Sequence, residues 1–146
     1  MRLSSTKRAY LAGFLDGDGS VYVRAKPNAS YRFGFQVAPY IVLFQSAKEK
    51  KKFKEVCSLI GFGRMRERKD GIVEYVIGRL DDVKKFINLV KPYSVLKRDQ
   101  IVLLEEILIK KEKIKNEKDF QDLLDLIDAY RTLNYSAKRK KRKLTP

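Results

Sequence analysis

The stretch Leu11-Ala12-Gly13-Phe14-Leu15-Asp16-Gly17-Asp18-Gly19 constrains the fold more than any other part of the chain, because the hydrophobic period changes across it. Upstream, Ala9, Leu11, Ala12, Phe14 and Leu15 supply an apolar helical surface that Ser5 or Thr6 can cap, which predicts a helix from Ser5 into the Asp-Gly-Asp-Gly segment, where two glycines break it. From Ser20 the period is two: Val21, Val23 and Ala25 alternate with Tyr22, Arg24 and Lys26, a strand with one apolar and one basic face. Gly13 and Gly17 lie four apart on one helix face with Ala12 beside them, so a second helix can approach until the backbones touch. Two such helices side by side bring carboxylates together at their ends. In low dielectric that arrangement is repulsive unless a cation bridges it, and Mg²⁺ takes carboxylate, backbone carbonyl and phosphate oxygens. On the residues alone, an ordinary helix end with an Asp-Gly turn explains the same string.

The rest of the chain repeats the pattern. Pro27-Asn28-Ala29-Ser30 is turn chemistry, and the return run Tyr31–Gln45 puts Phe33, Phe35, Val37, Ile41 and Leu43 on one face, with Pro39 suggesting an edge or a bulge. Ser46-Ala47-Lys48-Glu49 matches a capping box ahead of a helix that buries Phe53, Val56 and Ile60 and stops at Gly61. A second hairpin follows, Gly63 to Lys69 and Ile72 to Gly78 around Asp70-Gly71. A short helix from Asp81 turns Val83, Phe86, Ile87 and Val90 inward. Two further amphipathic helices span about Lys97 to Lys113 and Asp119 to Leu133, with Ile101, Leu104, Leu108 and Phe120, Leu123, Leu124, Ile127 as apolar stripes. The order predicts an α+β domain with a four-stranded antiparallel sheet and helices on one face.

Charge narrows the function. The chain carries 33 Lys and Arg against 18 Asp and Glu over 146 residues, a net +15. Residues 1–80 hold 16 basic and 7 acidic side chains, residues 81–137 hold 11 of each, and the last nine hold six basic and none acidic. The block Lys138 to Lys143 has nothing apolar to bury and reads as a solvated tail, either localising or DNA-contacting. The first surplus is interleaved with structure. Alternation sends Tyr22, Arg24, Lys26, Arg32, Gln36, Arg64, Arg66 and Arg68 to the sheet face away from the core, and Asn28, Ser30 and Tyr31 join them at the first hairpin tip. A two-stranded ribbon fits the DNA major groove, where Arg reads guanine, Gln reads adenine and Lys neutralises phosphate. Ala38, Tyr40, Val42 and Phe44 share that face and are poor readers of base edges. No His is present and Cys57 is the single cysteine, so an internal disulfide and the usual general base are excluded, and chemistry falls to carboxylates, lysines, amides or an oxygen-ligated metal. No run reaches the ~20 apolar residues of a membrane span, and MRLSSTKR lacks the apolar middle of a signal peptide, so an intracellular protein is expected.

The nine-residue string resembles the signature of the LAGLIDADG homing endonucleases, reading LAGFLDGDG here. The likeness extends from about Leu11 to Ile109, through the basic hairpin, a helix ending IGFG, the hairpin with alternating arginines and a KPY segment followed by LK. It is to the single-motif, homodimeric members. The resemblance implies an αββαββα fold whose four-stranded antiparallel sheet binds DNA, with helices on the other face and an extra C-terminal helix. Residues 1–137 would form one endonuclease domain and 138–146 a basic tail. Asp18 would bind the catalytic metal with the Gly17 carbonyl, Gln45 would position water near the scissile phosphate, and Lys97 would stabilise developing phosphate charge or polarise the attacking water. Asp16 would be structural. Leu11, Ala12, Gly13, Leu15, Asp16 and Gly17 would form the dimer interface. The implied cofactor is Mg²⁺, with Mn²⁺ substituting and Ca²⁺ binding without cleavage. The implied partners are double-stranded DNA and a second copy, with no membrane and no small-molecule substrate. One departure is that the basic residue expected a helical turn after Gln45 falls on Glu49, with Lys48 or Lys50 as substitutes.

Other readings use fewer of these features. A family member that binds DNA or RNA without cutting, as a maturase or regulator, does not need Asp18, Gln45 and Lys97 together. A ribosomal or RNA-binding protein accounts for +15 but gives no reason for a Gly-x-x-x-Gly face followed by Asp-Gly-Asp-Gly. A membrane-surface role fits least, because the basic residues lie on strands.

Overall fold

In the computed structural model, which describes residues 2–133, the first helix α1 runs Ser5–Asp18 and the chain enters strand β1, Gly19–Pro27, with no intervening loop. The cap is Ser4, one residue before the expected pair, and its hydroxyl oxygen accepts the Lys7 N–H at 3.3 Å. Gly19 is extended, so its handedness is not what matters. A Cβ there would lie 2.8 Å from the Leu15 carbonyl oxygen and 2.9 Å from Leu15 Cα. The last glycine of the motif is what lets the strand leave the helix end so tightly.

The first hairpin closes through Asn28 N–H to the Gly34 carbonyl at 2.8 Å, with Gly34 at φ +79°, and strand β2 is Phe35–Ser46. A single 3-10 turn, Ala47–Glu49, leads into α2, Lys50–Ser58. The expected capping box forms only in part. Ser46 Oγ accepts the Lys48 N–H, but the Ser46 N–H is taken by the side-chain carbonyl of Gln45 at 2.8 Å, and Glu49 lies 3.5 Å from Lys52 instead. In α2 the second inward residue, after Phe53, is Cys57, 3% exposed, rather than Val56. Gly61 at φ +82° follows the helix as expected.

Strands β3, Arg64–Glu67, and β4, Ile72–Ile77, form the second hairpin, and helices α3, Leu80–Val90, α4, Arg98–Glu112, and α5, Glu117–Leu133, complete the order. The α5 start is two residues earlier than expected because Asn116 caps it, its side-chain oxygen accepting the Asp119 N–H at 2.8 Å. The sheet order is β1-β2-β4-β3, with β2–β4 and β4–β3 antiparallel. Strand β2 is therefore central, and Pro39 is not on an edge strand. The β2–β4 pairing ends at Ile41 opposite Ile77, so the proline, which has no N–H to give, lies past the end of that ladder.

The described residues form two compact units, one of residues 2–21 with Tyr40–Arg98, the other of Tyr22–Pro39 with residues 99–133. In the first, Leu11, Leu15, Val21, Ile41, Leu43, Val73, Ile77, Val83 and Phe86 are wholly buried, and Phe14 stacks on Phe53 at 5.6 Å. In the second, Phe120 receives Phe33 at 5.1 Å and Phe35 at 6.1 Å, and Ile101, Leu104, Ile107, Leu123 and Tyr130 are buried. No helix among the described residues is long and apolar enough to cross a membrane. The basic block Lys138 to Lys143 lies outside the described residues.

Candidate active site and nucleic-acid interface

The two motif carboxylates have opposite fates. Asp16 is turned into its own chain: Oδ1 accepts the Ser94 hydroxyl at 2.6 Å and the Lys97 N–H at 3.1 Å, while Oδ2 accepts the Val95 and Leu96 N–H groups at 2.8 and 3.1 Å. Burial alone would raise its pKa, but those four hydrogen bonds outweigh it and hold the carboxyl below its ordinary value. Asp18, two residues on, is exposed. The preceding Gly17 is exposed too, and a Cβ there would meet no atom within 4 Å.

The hydrogen bond from Lys97 N–H to Asp16 ties the segment just before α4 to the end of α1, which places the Lys97 backbone beside the helix end that carries Asp18. Gln45 is at the same end: β1 begins immediately after Asp18 and β2 ends just past Gln45, and the two strands are neighbours joined by a hairpin. The Gln45 amide folds back on the Ser46 N–H. Lys50, a substitute for the missing basic residue, has its ammonium 2.8 Å from Glu67, whereas Lys48 is exposed.

The expected dimer face needs correction. Leu11, Ala12 and Leu15 are each 0% exposed in the single chain. They pack into its own core and have no surface left for a partner. Asp16 is likewise committed to residues 94–97. The accessible strip of α1 is instead Ala9, Tyr10, Gly13 and Gly17, and a Cβ at Gly13 would also meet nothing within 4 Å. The glycine face expected to meet a second helix is accessible, with Gly13 and Gly17 on the outside of the helix, while the leucines and Ala12 grouped with it lie within.

The strand faces carry most of the expected basic residues. In the first unit, Arg64 pairs in register with Val76 and Arg66 with Glu74, and both arginines are exposed. Arg68 lies just beyond β3, with its guanidinium 2.6 Å from Asp70 and 3.4 Å from Glu74. In the second unit, Arg24 is exposed and lies over the Tyr22 ring at 5.4 Å, and Lys26 and Gln36 are half-buried. Arg32 is not on a strand at all. It belongs to the hairpin loop, where it donates to the Lys115 carbonyl at 3.1 Å and covers Phe33 at 4.8 Å. Asn28 organises that loop, its side-chain oxygen accepting the Ser30 N–H at 3.0 Å and the Ser30 hydroxyl at 2.6 Å, while Ser30 and Tyr31 are exposed. Of the four residues unsuited to base reading, Ala38 and Val42 are buried, at 8% and 3% exposure, while Tyr40 and Phe44 are half-buried.

Among the described residues there is no group of three Asp, Glu, His or Cys able to hold a metal. What one chain offers is an exposed carboxylate at Asp18 and the adjacent Gly17 carbonyl. These are hard oxygen donors that fit Mg²⁺ as part of a site, with the remaining ligands coming from outside the chain.

Sequence reasoning missed two residues of this region. Ser94 is fully buried and donates to Asp16. Arg8, two helical turns before Asp16, donates to the carbonyls of Asn88 and Leu89 at 3.0 Å each and lies over Tyr93 at 5.4 Å, closing the end of α3. Neither carries a local signal, since each partner is some 80 residues away.

Residues 11–107 match the LAGLIDADG endonuclease family, and they include the whole motif, Gln45, both hairpins and Lys97. The chain belongs to that family. The chain is 30% identical over 132 residues to the DNA endonuclease I-CreI of Chlamydomonas reinhardtii, a match covering 90% of this chain and 80% of that protein. It is 29% identical over 119 residues to the DNA endonuclease I-CvuI of Chlorella vulgaris, covering 82% of this chain and 72% of that protein. Its fold superposes on the homing endonuclease I-CvuI in complex with its target in the presence of Ca with a TM-score of 0.83 at 27% identity, over 93% of this chain and 87% of that one. The α+β order read from the sequence, and the LAGLIDADG fold that the resemblance implied, are the ones observed.

Proposed function

We propose that this LAGLIDADG endonuclease acts as a homodimer that cuts both strands of a long, pseudo-palindromic DNA target by Mg²⁺-dependent phosphodiester hydrolysis. The observation that carries the reading is the division of labour between the motif carboxylates: Asp16 is consumed inside the chain, while Asp18 stands exposed at the end of a helix whose outer strip is glycine. One chain thus holds part of a metal site and a face that a second copy fits. A two-fold pair joined along Gly13 and Gly17 brings two Asp18 carboxylates together, and its symmetry dictates matching half-sites in the DNA.

Asp18 and the Gly17 carbonyl hold the metal, which when bound lowers the pKa of water and offsets phosphate charge. Lys97, tied to the same helix end, stabilises negative charge on the phosphate, and Gln45 orients water once its amide is released from Ser46. Tyr22, Arg24, Lys26, Gln36, Arg64, Arg66 and Arg68 contact the DNA, with Asn28, Ser30, Tyr31 and Arg32 from the first hairpin loop. Residues 1–137 work as one endonuclease domain. Mn²⁺ substitutes for Mg²⁺, and Ca²⁺ supports binding without cleavage.

The test begins with selection of a target from a randomised duplex library. Asp18→Asn should bind that duplex in Ca²⁺ as the native chain does and leave it uncut in Mg²⁺. Cleavage by Asp18→Asn would sink the assignment, and binding without nicking by the native chain would instead mark a member of the family that does not cut.

A further inference from the structure

The segment that carries Lys97 is held in an unusual way. Between α3 and α4 the chain turns, and the two apolar residues before Lys97, Val95 and Leu96, point outward at 71% exposure each. Hydrophobic burial therefore does little to anchor this stretch. Its attachment is polar: the N–H groups of three successive residues, Val95, Leu96 and Lys97, converge on one carboxylate, which obliges the backbone to curl around Asp16. Ser94, 0% exposed, adds its hydroxyl to the same group and has the Val90 carbonyl for its own N–H at 2.9 Å. A charged acceptor with four donors is stiff as well as strong, since charge-assisted hydrogen bonds are short and directional. Asp16 stands two residues before Asp18 on one helix, so the clamp fixes the backbone of Lys97 relative to the helix end that carries Asp18.

We propose that Asp16 and Ser94 are positioning residues for Lys97 in the cleavage step, beyond any service to the fold; the inference rests on the assignment of Lys97 above. Misplacing a reacting group by about 1 Å costs on the order of 100-fold in rate, so loosening the clamp should slow cleavage without weakening DNA binding. The Asp16 carboxylate touches neither metal nor phosphate in this scheme. It acts only through where Lys97 stands.

The experiment is a double-mutant cycle in the full chain. Asp16→Asn, Ser94→Ala and Lys97→Ala, singly and in pairs with Lys97→Ala, are compared by single-turnover cleavage of the selected duplex in Mg²⁺, by affinity for it in Ca²⁺, and by melting temperature. Cleavage is measured well below the melting midpoint. Asp16→Asn should slow cleavage about 10- to 100-fold and Ser94→Ala by a smaller factor, with affinity little altered, and neither should slow a chain that already carries Lys97→Ala. An equal slowing with and without Lys97 would show that the clamp serves the fold alone and would overturn the proposal, as would full activity in both single variants. Should Asp16→Asn fail to fold, Ser94→Ala, which keeps Asp16 and its three backbone donors, decides the matter. Native cleavage by Lys97→Ala itself would instead remove the assignment on which the inference stands.

Discussion

Replacing Gly13 by Ala sets two effects of opposite sign against each other. Within the single chain the added Cβ meets no atom within 4 Å and Gly13 lies inside α1, so only helix propensity operates. Ala is better than Gly there by about 1 kcal/mol, which in a chain of this size raises a melting temperature by roughly 2–4 °C. In a dimer whose helices touch along Gly13 and Gly17 the same methyl enters the closely packed backbone seam, once from each copy. Overpacking costs about 1–3 kcal/mol per site, so the interface is weakened by roughly 2–6 kcal/mol and the dissociation constant rises about 30-fold to 10⁴-fold. Sedimentation velocity over a dilution series reads the second effect, thermal melting at a concentration where both proteins are monomeric reads the first, and double-strand cleavage at low protein concentration reads their consequence. The expected variant is a more stable monomer and a poorer nuclease. A Gly13→Ala protein that dimerises and cleaves like the native one would refute the placing of the interface on the glycine strip.

Gly19→Ala should behave differently from Gly13→Ala although both alter the motif: its Cβ would sit 2.8 Å from the Leu15 carbonyl oxygen, so the expected loss is about 1–3 kcal/mol of stability, and an unchanged melting temperature would contradict the close approach. Arg66→Ala should lower the log–log salt slope of DNA binding by about 0.9, the value for one phosphate no longer neutralised, while Arg68→Ala, already paired with Asp70 and Glu74, should lower it less; binding titrations across ionic strength decide the order. Burial pushes the Cys57 thiol from 9.0 up to about 12, so the folded chain should resist iodoacetamide at pH 8 and label readily in urea. By the same shift, the unfolded thiol ionises above about pH 9 while the folded one does not, so this group's contribution to stability should fall as pH rises beyond that point, a trend that Cys57→Ala should lose.

Much of the fold is legible in the order of residues because it depends on neighbours. The switch of period at Gly19 marks the passage from α1 to β1, the inward residues of α3 are the four expected, and the Asp70-Gly71 turn joins β3 to β4, with Gly71 at φ +83°. Local reading errs where two adjacent candidates compete for one role. Ser4 rather than Ser5 or Thr6 caps α1, and Gln45 takes the N–H expected for Glu49. Pro39 reads as an edge or a bulge; its strand is central, but it lies past the end of the β2–β4 ladder, because how far a strand is paired is set by its partners, not by its own composition.

The amino-acid order alone determined that the chain carries a close-packing helix ending in two carboxylates, basic strand faces and no histidine, and hence which chemistry is open to it. Only the family resemblance told Asp16 from Asp18 at that level; as residues they are the same type two positions apart in the same string, and nothing local separates them. That distinction rests on donors from Ser94 to Lys97, which reach Asp16 only after the chain has folded back across some 80 residues. The glycine face was legible in the spacing, but that Leu11, Ala12 and Leu15 are wholly taken up by the chain's own core is decided only by the packing of α1. Periodicity and capping act over a few residues and are written locally. Which carboxylate stays exposed, and which face of the helix stays accessible, follow from contacts that exist only in the folded chain.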